Sequence, residues 1–271
     1  MQNNLFSVKD KVIILTGGSG ILGRCMAKYL AKEEAAVVIL DLNEKAGKEL
    51  EEEIKQEGGK ALFLKTNVLD KQVLEENSKA ILDAFGSIDV LINLAGGNMA
   101  GATIPPDKTF FDLDVEAFRK VVDLNLFGTV IPTMVFAKVM VEQKKGSIIN
   151  ISSESALRPL TRVVGYGTAK AAINNFTQSM AGELAIKFGE GLRVNAIAPG
   201  FFLTEQNRSL MTNPDGTPSD RCKTVIAHTP FRRLGQPEEL LGTVQYLASD
   251  ASAFVTGTVI PVDGGFDAFS I

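Results

Sequence analysis

At 271 residues and 29.1 kDa the chain is long enough for one large domain with a sizeable core. A net charge of −4 and a pI near 5.3 leave no basic excess to attract nucleic acid or an anionic membrane. One histidine, His228, and two distant cysteines, Cys25 and Cys222, argue against a His-containing triad, a multi-histidine metal site and a disulfide framework.

Residues 1–7 show no charged start followed by an apolar run, so no signal peptide is expected and a cytoplasmic, thiol-reducing location is the simpler reading. An apolar strand at 12–15 leads through a Gly-rich turn into a helix reaching about residue 32. A strand at 37–40, a charged helix at 44–56 and a strand at 61–65 follow. A helix at 71–85 is stopped by Gly86 before a strand at 90–93. One long apolar helix is expected over 115–143, with Gly128 and Pro132 bending it; Asp123, Asn125 and Lys138 make it a core helix rather than a membrane span. Next come a strand at 147–151, a helix over most of 162–188 and a strand at 194–198. Residues 201–230, centred on Asn213-Pro-Asp-Gly-Thr-Pro218, are the least regular stretch and too long for a simple connection, which predicts a substrate lid. A helix at 237–247 and a strand at 259–262 end the series.

Near-continuous apolar strands separated by helices imply a parallel sheet covered on both faces. The expected fold is α/β: a Rossmann-type, doubly wound sheet of about seven strands, with 1–271 as a single domain. Thr16-Gly-Gly-Ser-Gly-Ile-Leu-Gly23 closes the first strand and opens a helix. Glycines there permit a tight turn, close approach to a pyrophosphate and close helix–strand packing, and the helix N-terminus faces the negative charge. This selects Gly17, Ser19, Gly20, Ile21, Leu22 and Gly23. Asp41, followed by Leu42, ends the second strand where a carboxylate accepts from ribose hydroxyls and repels a 2′-phosphate, favouring NAD over NADP; a helix cap is the alternative. Asn67, Val68, Asn93, Ala95 and Gly96 end the next strands on the same edge of the sheet, as ligand contacts or as plain turn residues.

Tyr166-Gly-Thr-Ala-Lys170 places a phenol and an ammonium one helical turn apart. A cation beside a tyrosine lowers a pKa that is ordinarily near 10, giving an acid/base suited to a carbonyl/alcohol pair. Alone, such a pair is more often just part of an ordinary amphipathic helix.

Together these residues resemble the short-chain dehydrogenase/reductase family over nearly the whole chain. The Gly-rich turn, the Asn-Ala-Gly turn (Asn93 to Gly96, one residue longer here), Asn125, Ser153, Tyr166, Lys170, and Pro199-Gly200 with Thr204 each match a family motif. The GxxGxxG spacing, with Ile21 in place of the middle glycine, is that of the family's extended members. The resemblance implies hydride transfer between a nicotinamide and a carbonyl carbon. In it Tyr166 moves the proton, Lys170 lowers the tyrosine pKa and holds a ribose, and Ser153 binds the substrate oxygen. Asn125 holds a water leading to Lys170, and Pro199, Gly200, Phe202 and Thr204 clamp the carboxamide. It also implies dimers or tetramers, consistent with the apolar Val121, Val122, Leu126, Ile131, Val135 and Val139.

Asn98, Glu154, Arg158, Arg162 and Arg208 give the expected substrate region amide, carboxylate and guanidinium groups, which suit a sugar acid better than a steroid or acyl chain. Ala95-Gly-Gly-Asn98, Arg158-Pro-Leu-Thr161 and the stretch 199–208 look like the family branch assigned to D-mannonate/D-fructuronate oxidoreduction. Gluconate 5-dehydrogenase-like and 3-oxoacyl-carrier-protein reductase-like activities are the rivals, and a dinucleotide-binding regulatory protein is the non-enzyme alternative.

Overall fold

A computed structural model describes residues 4–269. The first half runs β1 Val12–Thr16, α1 Ile21–Lys32, β2 Ala36–Asp41, α2 Glu44–Gln56, β3 Lys60–Lys65, α3 Lys71–Phe85 and β4 Val90–Asn93. Then follow α4 Val115–Val122, a π-helical turn Asp123–Phe127, α5 Gly128–Gln143, β5 Gly146–Ile151, α6 Val164–Phe188 and β6 Leu192–Pro199. The chain closes with α7 Glu205–Met211, α8 Asp220–His228, α9 Leu241–Ala248 and β7 Val259–Val262. All seven expected strands form one parallel sheet in the order β3-β2-β1-β4-β5-β6-β7.

Strand side chains alternate between faces, and here both faces are covered. Ile13, Leu15, Val37 and Ile39 pack with Met26 and Leu30 of α1, Leu50 and Ile54 of α2, and Leu247 of α9. Val12, Ile14, Val38 and Leu40 pack on the other face with Leu74 and Ile81 of α3, Phe136 and Met140 of α5, and Leu184 of α6. Each such fully buried side chain contributes roughly 1.5–3 kcal/mol of transfer free energy. Successive connections run one way from β1 to β3 and the other way from β4 to β7. The carboxyl ends of β1 and β4 therefore form the crevice where ligands bind in open α/β sheets.

One expectation changes, and two elements gain detail. The stretch 115–143 is one continuous helix, as expected, but it contains a π-helical turn at Asp123–Phe127 that the sequence did not show. The Asn125 side chain donates through Nδ2 to the Val121 carbonyl at 2.7 Å, and the backbone widens into the π-turn at that point. By length and composition 115–143 could cross a membrane, but half of its apolar window is buried within the protein. The region 201–230 is not irregular: it holds α7 and α8, with Ser219 capping α8 through the Cys222 N–H. Met211, Cys222 and Val225 pack there with Phe201, Leu203, Ile226 and Leu234 in a small core of their own. The helix expected over most of 162–188 is α6, which begins at Val164 after Arg162 with φ 75°.

Candidate active site

The Gly-rich turn is built as the spacing predicts, but its glycines do different jobs. Gly17 has φ 64°, and a Cβ there would lie 2.9 Å from Ala95 Cα, so β1 and β4 meet through it. A Cβ on Gly23 would reach 2.7 Å from the Gly18 carbonyl oxygen, so α1 needs glycine to sit against the turn. Gly20, the N-cap of α1, has ordinary extended backbone and offers no side-chain cap; the nearest atom to a Cβ there is 3.5 Å away. What its missing side chain frees is space above the helix N-terminus, where unsatisfied N–H groups and the helix dipole favour an anion.

That space opens into a cleft of about 560 Å³. Gly17, Ser19, Gly20, Ile21, Leu22, Gly23, Asp41, Leu42, Asn67, Val68, Ala95, Gly96 and Thr204 all line it. Leu40, Asn43, Thr66, Leu94 and Leu124 also line it and were not legible in the sequence, because a wall-forming apolar or amide residue looks like any other strand end. Asp41 at the lip accepts from the Ser19 N–H at 3.0 Å and the Asn43 N–H at 2.9 Å. Cleft and carboxylate fit a nicotinamide dinucleotide: the glycine turn and α1 would hold its pyrophosphate and Asp41 its adenosine ribose.

The expected proton-handling residues are not among those lining this cleft; they meet just behind its Gly96 wall. Tyr166 is hydrogen-bonded to Ser153, whose Oγ accepts the Ser155 N–H at 3.2 Å. Lys170 Nζ lies 5.6 Å from the Tyr166 ring centroid and donates to the Ile151 carbonyl at 2.6 Å. Gly96 joins this group to the cleft: a Cβ on it would sit 2.6 Å from Asn125 Oδ1 and 3.3 Å from Lys170 Nζ. Any side chain at 96 would separate the two.

The electrostatics differ from the simple Tyr–Lys expectation. Burial pushes the Tyr166 phenol up, and the Ser153 hydrogen bond draws it back down. Lys170 is only 3 % exposed, and burial lowers its ammonium to about 7. Tyr166 keeps part of its surface open, whereas Lys170 is enclosed. Desolvation here outweighs the cation effect expected from one-turn spacing. Asn125 is wholly buried and differently employed too: it donates to the Gly97 carbonyl at 2.7 Å as well as to Val121, and accepts the Gly97 N–H at 3.2 Å. Both of its amide hydrogens are taken by the protein, which leaves only Oδ1 to face a water.

Several expected residues do not line the cleft. Asn93 is 1 % exposed and turns inward, donating to Thr133 Oγ1 and Asn150 Oδ1, so it ties strand ends together. Phe202 is buried in the main core against Gly235. Pro199 ends β6, and Gly200 lets that end pass Asp263, with 2.7 Å from a Cβ to Asp263 Cα. Asn98 is occupied with Thr103 Oγ1 and the Met99 N–H. Arg158 is held by Asp267 at 3.0 Å, and Glu154 is 1 % exposed, so neither reaches into the cleft. Arg208 lies on α7, its backbone N–H bonded to the Thr204 carbonyl. Arg162 stands beside a residue the sequence did not single out: Arg221 of α8 donates from Nη1 to Thr161 Oγ1 at 2.8 Å. Burial and the neighbouring Arg162 charge both lower the Arg221 pKa. His228 is exposed at the end of α8, with Nδ1 against the Thr224 carbonyl.

A family model described as enoyl-(acyl carrier protein) reductase matches residues 18–267. The chain belongs to the short-chain dehydrogenase/reductase family. It is 45 % identical to an uncharacterized oxidoreductase of Haemophilus influenzae, over 97 % of this chain and 95 % of that protein. A crystal structure from Haemophilus influenzae, assigned as a D-mannonate oxidoreductase and holding NAD, has a TM-score of 0.91 at 44 % identity, covering 97 % of both chains. A structure assigned as a gluconate dehydrogenase of Agrobacterium tumefaciens has a TM-score of 0.87 at 31 % identity, covering 98 % of this chain and 99 % of that one. The protein is thus an oxidoreductase of the short-chain type, acting between CH–OH and carbonyl groups.

In this family the dinucleotide supplies or takes the hydride. Tyr166 and Ser153 stand side by side, an arrangement that would let both hydroxyl groups meet one carbonyl oxygen. The Lys170 charge sits behind the phenol, where little water screens it.

Proposed function

We propose that the protein interconverts D-mannonate and D-fructuronate with NAD(H), and that Asn125, Ser153, Tyr166 and Lys170 carry the chemistry. The observation that bears most on substrate class is the Arg162/Arg221 pair. Two guanidinium groups close enough to depress Arg221 have no carboxylate ion pair among the described residues. They lie between the loop leading into the Tyr166 helix and the segment 201–230, which we take as the substrate cover. Like charges held together cost energy until an anion joins them, and a guanidinium fork suits a carboxylate. The likeness to a protein assigned as a D-mannonate oxidoreductase supports the same reading. Asp41 supports NAD over NADP.

In the reducing direction Tyr166 donates its proton to the developing alkoxide while Ser153 holds the oxygen. Asn125 keeps Gly97 and the π-turn in register with Lys170. Exposed apolar Val115, Phe127 and Met134 on the 115–143 helices support a homo-oligomer, dimer or tetramer. Val121 and Val135 belong to the chain's own core and are not part of that surface. We take the protein to be cytoplasmic and to act as one domain.

The test is initial-rate absorbance of NADH and NADPH oxidation with D-fructuronate, 5-ketogluconate and an acetoacetyl thioester. Fructuronate turnover with NADH, abolished in Tyr166→Phe while dinucleotide binding survives, is the expected result. Arg221→Gln should raise KM for the acid at least tenfold with little change in KM for NADH. Preference for the neutral thioester would remove the sugar-acid reading.

A further inference from the structure

Glu154 follows Ser153 directly and lies in the 3-10 turn Glu154–Ala156. It is 1 % exposed, and neither carboxyl oxygen receives an N–H or O–H donor. An ionised carboxylate in that state would be a costly buried charge. Its contact is instead with another carboxyl group, Asp263, with Asp267 close behind. Two carboxylates cannot hydrogen-bond to each other; a carboxylic acid and a carboxylate can. The geometry shows which is which. Asp263 accepts two backbone N–H groups, from Gly265 at 2.8 Å and Asp267 at 2.6 Å, and so is the acceptor of the pair. Glu154 has no such donors and is the acid.

The segment bound in this way reaches several parts of the site. Asp263 packs against Gly200 at the end of β6. Gly264 touches Thr229 and Phe231, and Gly265 touches Pro230, at the end of the 201–230 segment. The Phe266 ring meets Phe201, with centroids 5.2 Å apart. From the Glu154 side, Arg158 grips Asp267 through Nε, at 2.8 Å to its carbonyl and 3.0 Å to Oδ1.

We propose that Glu154 is a positioning residue: as a carboxylic acid it donates a hydrogen bond to Asp263, and so clasps the turn carrying Ser153 to residues 263–267 and through them to the substrate cover. The idea rests on the reading of Ser153 as the residue that receives the carbonyl oxygen. The charged and titratable groups facing Glu154 are Asp263 and Asp267 on the C-terminal segment and Arg158 on its own turn. From α6, which packs on this turn at Gly167, Tyr166 is the ionisable neighbour, reached through Ser153. Burial first, then the two aspartates, raise Glu154 to about 8, with Arg158 opposing. Above that pH the clasp becomes a repulsion between carboxylates.

The full-length chain, Glu154→Gln and Glu154→Ala are compared. The glutamine amide donates to Asp263 and cannot ionise. Wild-type kcat should fall about tenfold per pH unit above about 8. In Glu154→Gln that alkaline limb should move up by at least one pH unit, whereas Glu154→Ala should lose at least tenfold in kcat at pH 7 with KM for NADH within threefold. Superimposable wild-type and Gln profiles, or equal losses in Gln and Ala, overturn the proposal. Thermal melts need no substrate. Unfolded Glu154 ionises from its ordinary 4.5 and folded Glu154 only near 8, so wild-type stability relative to Gln should fall as pH rises from 4.5 to 8. A difference that stays constant with pH overturns the clasp. Melts that behave as expected in a chain that reduces no carbonyl support the clasp and remove the proposed function instead.

Discussion

Replacing Lys170 by Met should abolish turnover and yet stabilise the fold at neutral pH. Lys170 is 3 % exposed, and burial lowers its pKa from 10.5 to about 7. The unfolded chain takes up this proton below 10.5, the folded chain only below about 7. Stability therefore falls as pH drops through that window, and the full cost is present below pH 7. At ~1.36 kcal/mol per pH unit the window is worth up to roughly 5 kcal/mol. Methionine has similar length and no charge, so it removes that cost. It also leaves the Ile151 carbonyl without the 2.6 Å bond from Nζ, an opposing loss of about 1–3 kcal/mol. Desolvation wins at pH 6.5, with a net gain of roughly 2–4 kcal/mol, or several degrees in Tm. Near pH 9.5 little of the desolvation cost remains, and the two proteins should be about equally stable. Urea denaturation at fixed protein concentration, at pH 6.5 and 9.5, measures both. Parallel stability curves across pH, or a variant less stable at pH 6.5, would refute the reasoning that Lys170 is a strained buried cation.

Asp41→Ala removes the acceptor of the Ser19 and Asn43 N–H groups. It should lower kcat/KM with NADH at least tenfold and raise the NADPH/NADH ratio of kcat/KM; an unchanged ratio would show that Asp41 does not select the cofactor. Gly17→Ala forces a side chain at φ 64°, 2.9 Å from Ala95 Cα. Left-handed strain of about 1–2 kcal/mol plus displacement of the Ala95 turn should weaken dinucleotide binding at least tenfold by calorimetry, and wild-type affinity in the variant would contradict the cradle geometry.

Most of the fold is legible because its signals are local. Strands such as 37–40 and 90–93 are apolar on both faces, and helices such as α3 carry their own stops, here Gly86 at φ 81°. The Gly-rich turn and the Tyr166/Lys170 pair are legible for the same reason: turn and helix geometry fix what neighbours in sequence can do. The π-turn within the 115–143 helix was missed because it depends on which way one asparagine points. Asn125 could bond its own helix, the Gly97 loop, or water, and only packing against β4 selects the first two. Helices α7 and α8 were hidden by the turn-rich 213–218, although Ser219-Asp220 carries an ordinary cap signal.

The sequence by itself determined the parallel sheet and the Gly-rich turn, and it singled out the Tyr166/Lys170 pair on which the proposed chemistry rests. Each of these depends on periodicity or spacing within a few turns of chain. The tertiary structure alone decided the partners of the charged groups. Arg158 finds Asp267 across 109 residues, Arg221 comes to Thr161 across 60, and Glu154 meets the aspartates of the last strand's exit. Nothing local marks such pairs. Their protonation and roles follow from desolvation and neighbouring charge, which exist only once distant segments have been packed together.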